Sequence, residues 1–195
     1  MDGMYQRDER VVYGSVGVCR VVDRQQRSFG GGTEEYYVLA PESDPRSSVF
    51  VPCGNATLME RLRPLLTRTQ IEAVLTAVSN GTVEWIDDRV KRREHFRRLM
   101  ADGDRAQLLR LIRCLTGKKK ERAAQGKSLS AADENVLREC KRQVDEEFSL
   151  VLGVPREQIA DLLRELPAGD VAYMVVSEAG ASVYSASKLA AQEFP

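Results

Sequence analysis

Apolar positions along this chain follow two different periods. Up to about residue 63 they come in short runs: Val11-Val12-Tyr13, Val18-Cys19-Arg20-Val21-Val22, Tyr36-Tyr37-Val38-Leu39 and Val49-Phe50-Val51-Pro52. Gly14, Gly17, Gly30-Gly31-Gly32 and Pro41-Glu42-Ser43-Asp44-Pro45 punctuate them. β-branched and aromatic side chains suit a pleated surface, and Gly, Pro and Asp suit the turns between. The pattern therefore predicts a small antiparallel β-barrel, with residues 55–63 closing it and leading out.

At Pro64 the spacing turns helical. Ile71, Val74, Leu75 and Val78 recur at i, i+3, i+4 and i+7, behind Thr67 and Gln70 in a capping-box arrangement, and Asn80-Gly81 ends the run. Asp87 or Asp88 can cap a second helix, with Val90, Phe96, Leu99 and Met100 on its apolar face and arginines opposite. Asp104 caps a third, through Leu108, Leu109, Leu111, Ile112 and Leu115. Ser130 opens a fourth, which carries Val136, Leu137, Val144, Phe148 and Leu152 and stops at Gly153. Pro155 starts a short helix through Ile159 and Leu166, and Pro167-Ala168-Gly169-Asp170 breaks it. The expected class is α+β: a barrel over residues 1–63, an all-α domain over 64–166, and a tail over 167–195.

Charge changes the picture locally. The chain has 29 Lys/Arg and 29 Asp/Glu, yet from Arg89 to Arg122 there are 13 basic residues against 4 acidic ones. Its single tryptophan, Trp85, stands just ahead of that stretch. Cations hold phosphates, and an indole can stack on a base or enter a groove, so the segment is suited to a polyanion. The bland reading is a half-buried indole beside a solvated helix with pairs such as Glu94–Arg98. Lys118-Lys119-Lys120 can equally be a cluster favoured by the helix dipole.

Other chemistry is thin. The cysteines, Cys19, Cys53, Cys114 and Cys140, form no C-x-x-C pair, and His95 is the only histidine, so buried or half-buried free thiols and no metal are expected. Gly30-Gly31-Gly32 lacks the ending of a phosphate loop and reads as a hairpin tip, and Ser182 and Ser185 lie in no nucleophile elbow. A binding protein without cofactor or catalysis is expected. No apolar stretch is long enough for a membrane span, and the first residues lack a signal-peptide layout, so a cytoplasmic protein is expected.

The strand runs, Val11 to Val21, Tyr36 to Leu39 and Val49 to Pro52 with Asn55, resemble the amino-terminal domain of the CarD/CdnL family of RNA polymerase-binding regulators; the module also occurs in transcription-repair coupling factor. The likeness continues through Glu84-Trp85, Lys118 to Arg122, Gly126 to Ser130, Asp133-Glu134, Leu137 and Glu146-Glu147-Phe148. It spans roughly residues 4–166. The resemblance implies a Tudor-like or SH3-like barrel docking on the polymerase β subunit, here around Arg27, Tyr37 and Phe50. It also implies a DNA-binding helical domain at the upstream edge of the transcription bubble in promoter DNA.

By the same resemblance, Trp85 is the minor-groove wedge that slows bubble collapse, and the protein is a nucleoid-associated monomer. Phe50 stands where relatives often have arginine, and Asp87-Asp88 where some have arginines. Phosphate contacts are therefore expected from Arg89, Lys91, Arg92, Arg93, Lys118, Lys119 and Lys120. A different class of reading is an adaptor that docks on polymerase while its helical half serves as a spacer.

The tail departs from that family. Val171 to Pro195, and above all Val176 to Ser187, is similar to part of the RNase H-like domain of Tex-type transcription accessory proteins. About 25 residues cannot complete such a domain, so a fusion remnant or gene-boundary feature is expected.

Overall fold

The computed structural model describes residues 4–29, 32–159, 172–177 and 180–185. The chain divides into two compact units, Met1–Leu65 and Leu66–Pro195.

The first unit is a five-stranded antiparallel sheet. Strands β1 (Arg10–Tyr13), β2 (Gly17–Ser28), β3 (Thr33–Pro41), β4 (Val49–Pro52) and β5 (Leu62–Pro64) lie in the order β4-β3-β2-β1-β5. A single 3-10 turn, Gly14–Val16, joins β1 to β2 between glycines of positive φ (45° and 95°), where a side chain would be strained. Alternation sends Val11, Cys19, Val21, Tyr37, Leu39, Val51 and Leu62 into one cluster. Tyr5 closes over them: its hydroxyl donates to the Leu62 carbonyl at 3.0 Å, and its ring meets Tyr37 edge-on at 6.0 Å.

Within residues 55–63 a one-turn helix precedes the closing strand: α1 (Ala56–Met59), which Asn55 caps by accepting from the Leu58 N–H at 3.1 Å. Only Leu62–Pro64 then pairs, with β1. A second difference is the length of the β2–β3 hairpin. Beyond the irregularity between Val21 and Asp23 it continues as a polar ribbon to Ser28↔Thr33. Apolar periodicity could not reveal that extension, because polar cross-strand pairs line it: Arg24 meets Glu35 at 2.6 Å, and the Ser28 and Thr33 hydroxyls meet at 2.8 Å. The expected Gly30-Gly31-Gly32 tip falls mostly on residues outside those described.

The second unit is built on α2 (Arg68–Ser79), α3 (Arg89–Asp102), α4 (Arg105–Ala124) and α5 (Ala131–Leu152). Each start is set by its own sequence. Thr67 and Gln70 make the reciprocal capping box, while Asp88, Asp104 and Ser130 accept from the first backbone N–H groups of their helices. Gly103 and Gly153 end α3 and α5 in the left-handed conformation. The core joins Ile71, Leu75, Phe96, Leu108, Leu111, Leu115, Val144 and Phe148. Burying each such side chain contributes about 1.5–3 kcal/mol.

Two polar features run through this core. Glu147 is fully buried and accepts from the Leu66 N–H at 2.9 Å and from Arg105 Nε at 2.6 Å, so the start of the unit is tied to α5. On α3, Val90 is 68% exposed, whereas Arg92 and Phe96 are the buried residues. The inward face of α3 thus starts at position 92, one turn before Phe96, and Val90 falls outside the apolar face on which the sequence had placed it.

Residues 156–159 are helical; the continuation to Leu166 and the breaker at 167–170 lie outside the described residues. Strands β6 (Ala172–Ser177) and β7 (Gly180–Ser185) form an antiparallel hairpin with register Ala172↔Ser185 to Ser177↔Gly180.

Candidate functional site

Trp85 is half-buried at the edge of the helical core, in the segment between α2 and α3. Its indole N–H donates to Asp87 Oδ1 at 3.0 Å, and its ring meets Phe96 at 6.4 Å and 60°. The Arg92 guanidinium lies 4.2 Å from the ring centroid, and Lys118 Nζ lies 5.4 Å from it. A cation over an indole face is attracted by the ring quadrupole, most strongly when water is excluded.

The two aspartates after Trp85, which replace expected cations, both have local work. Asp87 takes the indole proton donor, and Asp88 caps α3 through the Lys91 and Val90 N–H groups at 2.8 and 2.9 Å. Those bonds, the Lys91 one first, hold the Asp88 carboxyl below its ordinary pKa.

The basic stretch is far less free than its composition implied. Arg105 is buried on Glu147. Arg110 and Arg113 donate to the Ala77 and Val78 carbonyls near the end of α2. Arg97 and Arg98 share Glu94, and Arg122 donates to the Ser128 carbonyl. Lys118 pairs with Glu121 at 2.9 Å and Lys119 with Glu134 at 3.0 Å. Arg89, Lys91, Arg93 and Lys120 remain exposed with no ion pair within 4.0 Å among the described residues.

Arg92 requires a correction. It is 5% exposed, and its Nε and one terminal nitrogen each reach an Asp133 carboxylate oxygen at 3.1 Å. The other terminal nitrogen donates to the Ile86 and Asp87 carbonyls at 2.7 and 3.0 Å. Four of the guanidinium's five N–H donors are spent in this way and the side chain is buried, so it does not present itself to a phosphate. The sequence carried no signal for it, since Asp133 is 41 residues away.

The sheet unit offers a second surface. Phe29 is 57% exposed and Phe50 36% exposed. Phe29 packs edge-on against Tyr36 at 5.3 Å and Phe50 at 5.8 Å, and the Arg27 guanidinium lies 5.5 Å from the Phe50 ring. Val38↔Phe50 and Arg27↔Glu34 pairing puts these side chains on the face opposite Tyr37.

Tyr37 is the second correction. At 2% exposure, it serves the core and accepts from the Tyr5 N–H at 3.2 Å. Phe29 and Tyr36 take its place on the surface. For Tyr36 the strand parity held the signal: Tyr37 and Leu39 must share a face, so Tyr36 points the other way. Nothing in the sequence placed Phe29.

Among the described residues no three His, Cys, Asp or Glu side chains could hold a metal ion, and no helix is long and apolar enough to cross a membrane. The four thiols are free; burial pushes Cys140 up to about 12, which leaves it an unreactive thiol.

A small antiparallel sheet with an outward aromatic and arginine face has the make-up of a protein-binding module. Residues 5–64 match the CarD-like/TRCF RID domain family. Residues 155–195 match a second family, the Tex protein YqgF-like domain. The transcriptional accessory protein Tex of Neisseria gonorrhoeae is 60% identical over 35 residues, which cover 18% of this chain and 5% of that protein. The amino-terminal unit is thus CarD-like, and the carboxy-terminal end is Tex-like.

Proposed function

We propose that this protein is a non-catalytic transcription regulator, held on the RNA polymerase β subunit by its sheet unit and acting on promoter DNA through Trp85. The observation that carries the reading is the CarD-like match over residues 5–64. A Tudor-like curvature of the sheet would present Phe29, Tyr36, Phe50 and Arg27 together. An exposed cluster of rings with an arginine is the composition that dominates protein-binding hot spots.

In the helical unit, the exposed cations Arg89, Lys91, Arg93 and Lys120 are free to meet phosphates, while Trp85 offers its ring to a base step that is already opening. Unstacking an intact step costs a few kcal/mol, so the indole favours the melted state by differential binding. Docking on polymerase raises the local concentration of the helical unit, so weak and sequence-independent DNA binding suffices.

The test is open-complex lifetime with cognate polymerase on a promoter fragment. The expected result is a longer lifetime with the wild type that Trp85→Ala abolishes while polymerase binding persists. Indole stacking worth about 1–3 kcal/mol corresponds to roughly five- to 150-fold in lifetime.

One observation favours a second reading. The Trp85 N–H is already bonded to Asp87, and its ring already has cations over it. On that reading the chain is an adaptor, and Trp85→Ala leaves the lifetime unchanged at full polymerase occupancy.

A further inference from the structure

Arg92 grips three things at once beside Trp85. It holds the Asp133 carboxylate on α5 in a two-pronged pair, both contacts at 3.1 Å. It holds the carbonyls of Ile86 and Asp87, the two residues that follow the indole, at 2.7 and 3.0 Å. Its guanidinium centre lies 4.2 Å from the indole centroid.

Asp133 is fixed in its turn at the start of α5. The Ser130 hydroxyl donates to its Oδ2 at 2.7 Å, and its own N–H donates to Ser130 Oγ at 3.2 Å. One chain of contacts therefore runs from the first turn of α5, through Arg92 on α3, to the backbone and ring of the Trp85 segment.

We infer that Arg92 and Asp133 are positioning residues, which set the indole of Trp85 at the edge of the helical core in the orientation it presents to DNA. The inference rests on the reading of Trp85 as the DNA-facing group. Its physical basis is what such a pair supplies. Apolar side chains of the same volume often stabilise a core as well as a buried ion pair does. The pair adds direction, because a planar fork fixes the angles of everything it holds.

Lysine could not replace it, since a compact ammonium cannot serve a carboxylate, two carbonyls and a ring face with one rigid geometry. An indole set in advance also loses less freedom on binding. Lys118, on α4, is a second cation near the ring at 5.4 Å, but among the described residues its ion pair is with Glu121 on its own helix.

The test uses the full chain, in which Trp85 is the only tryptophan and reports on itself by fluorescence. The main variant is the double replacement Arg92→Met with Asp133→Leu, which removes the pair without leaving a lone buried charge. Wild-type helicity is expected by circular dichroism, with acrylamide quenching of Trp85 raised severalfold and its anisotropy lowered. Open-complex lifetime with polymerase should fall toward that of Trp85→Ala.

If the folded double variant quenches and depolarises like the wild type, the pair is a structural tie and the inference is overturned. If it does not fold, Arg92→Lys decides by the same two optical measurements: intermediate values uphold the inference and wild-type values overturn it. Release of the indole in these variants, with no effect of Trp85→Ala on lifetime, upholds the positioning and sinks the DNA reading instead.

Discussion

Arg27 in the sheet unit and Arg92 in the helical unit each set a guanidinium over an aromatic ring, at 5.5 Å from Phe50 and 4.2 Å from Trp85. Their surroundings differ completely. Arg27 is exposed, and its other recorded bonds go to the Gln25 side-chain oxygen two residues away, at 2.9 and 3.0 Å. Arg92 is buried on a carboxylate 41 residues away. The same residue type over the same kind of ring is therefore a presented surface in one unit and an internal brace in the other. Composition and local spacing do not separate these uses; the availability of a buried partner does.

The comparison can be broken hardest at Asp133. Asp133→Ala leaves the Arg92 charge buried without its partner, and should destabilise the helical unit by about 3–5 kcal/mol in urea titration. Arg27→Ala should stay within about 0.5 kcal/mol of wild type. Equal effects of the two would erase the distinction.

The next effect in size belongs to binding. Phe50→Ala should weaken polymerase association about tenfold, or ~1.4 kcal/mol, with the fold unchanged. A wild-type affinity by titration calorimetry would remove the aromatic face from the interface.

The smallest expected effect sharpens the contrast between paired and merely buried charges within the helical unit. Burial pushes Asp133 upward, but the hydrogen bonds from Arg92 and Ser130 outweigh it and hold its pKa below 3.8. Its stabilisation is therefore complete above the unfolded value and is lost as pH falls through the lower folded one.

Asp145 has the opposite sign. Burial raises it to about 6, against the pull of Lys141 and Arg156, so its ionised form costs stability at neutral pH and the cost fades as pH falls from 6 toward 3.8. Asp145→Asn should stabilise the unit at pH 7 by roughly 1 kcal/mol after allowance for solvent screening, with the gain gone near pH 4. Thermal melts at the two pH values measure it, and a gain that is independent of pH would refute the assignment.

Helix starts were the most legible part of the fold. Thr67, Asp88, Asp104 and Ser130 act on N–H groups within three residues, so their role is written locally. The long β2–β3 ribbon was hidden because its outer half is lined by polar pairs, Arg24 with Glu35 and Ser28 with Thr33, rather than by apolar alternation. The candidate sites divide in the same way. Trp85 and the cationic stretch that starts at Arg89 stand out from composition, but which of its cations are exposed does not. The burial of Arg92 and the exposure of Val90 both follow from where α3 meets α5, a contact between segments far apart in the chain.

By itself, then, the amino-acid sequence determined the change from strands to helices, the caps that start α2, α4 and α5 and, to one of two adjacent aspartates, α3, and the location of the cationic stretch beside a lone indole. These depend on interactions between near neighbours or on period. Which cations remain free, which tyrosine faces outward, and what holds Trp85 were decided only by tertiary structure. The reason is physical: a charged or aromatic side chain suits either surface or interior, and its place depends on whether the fold brings it a partner once water is removed.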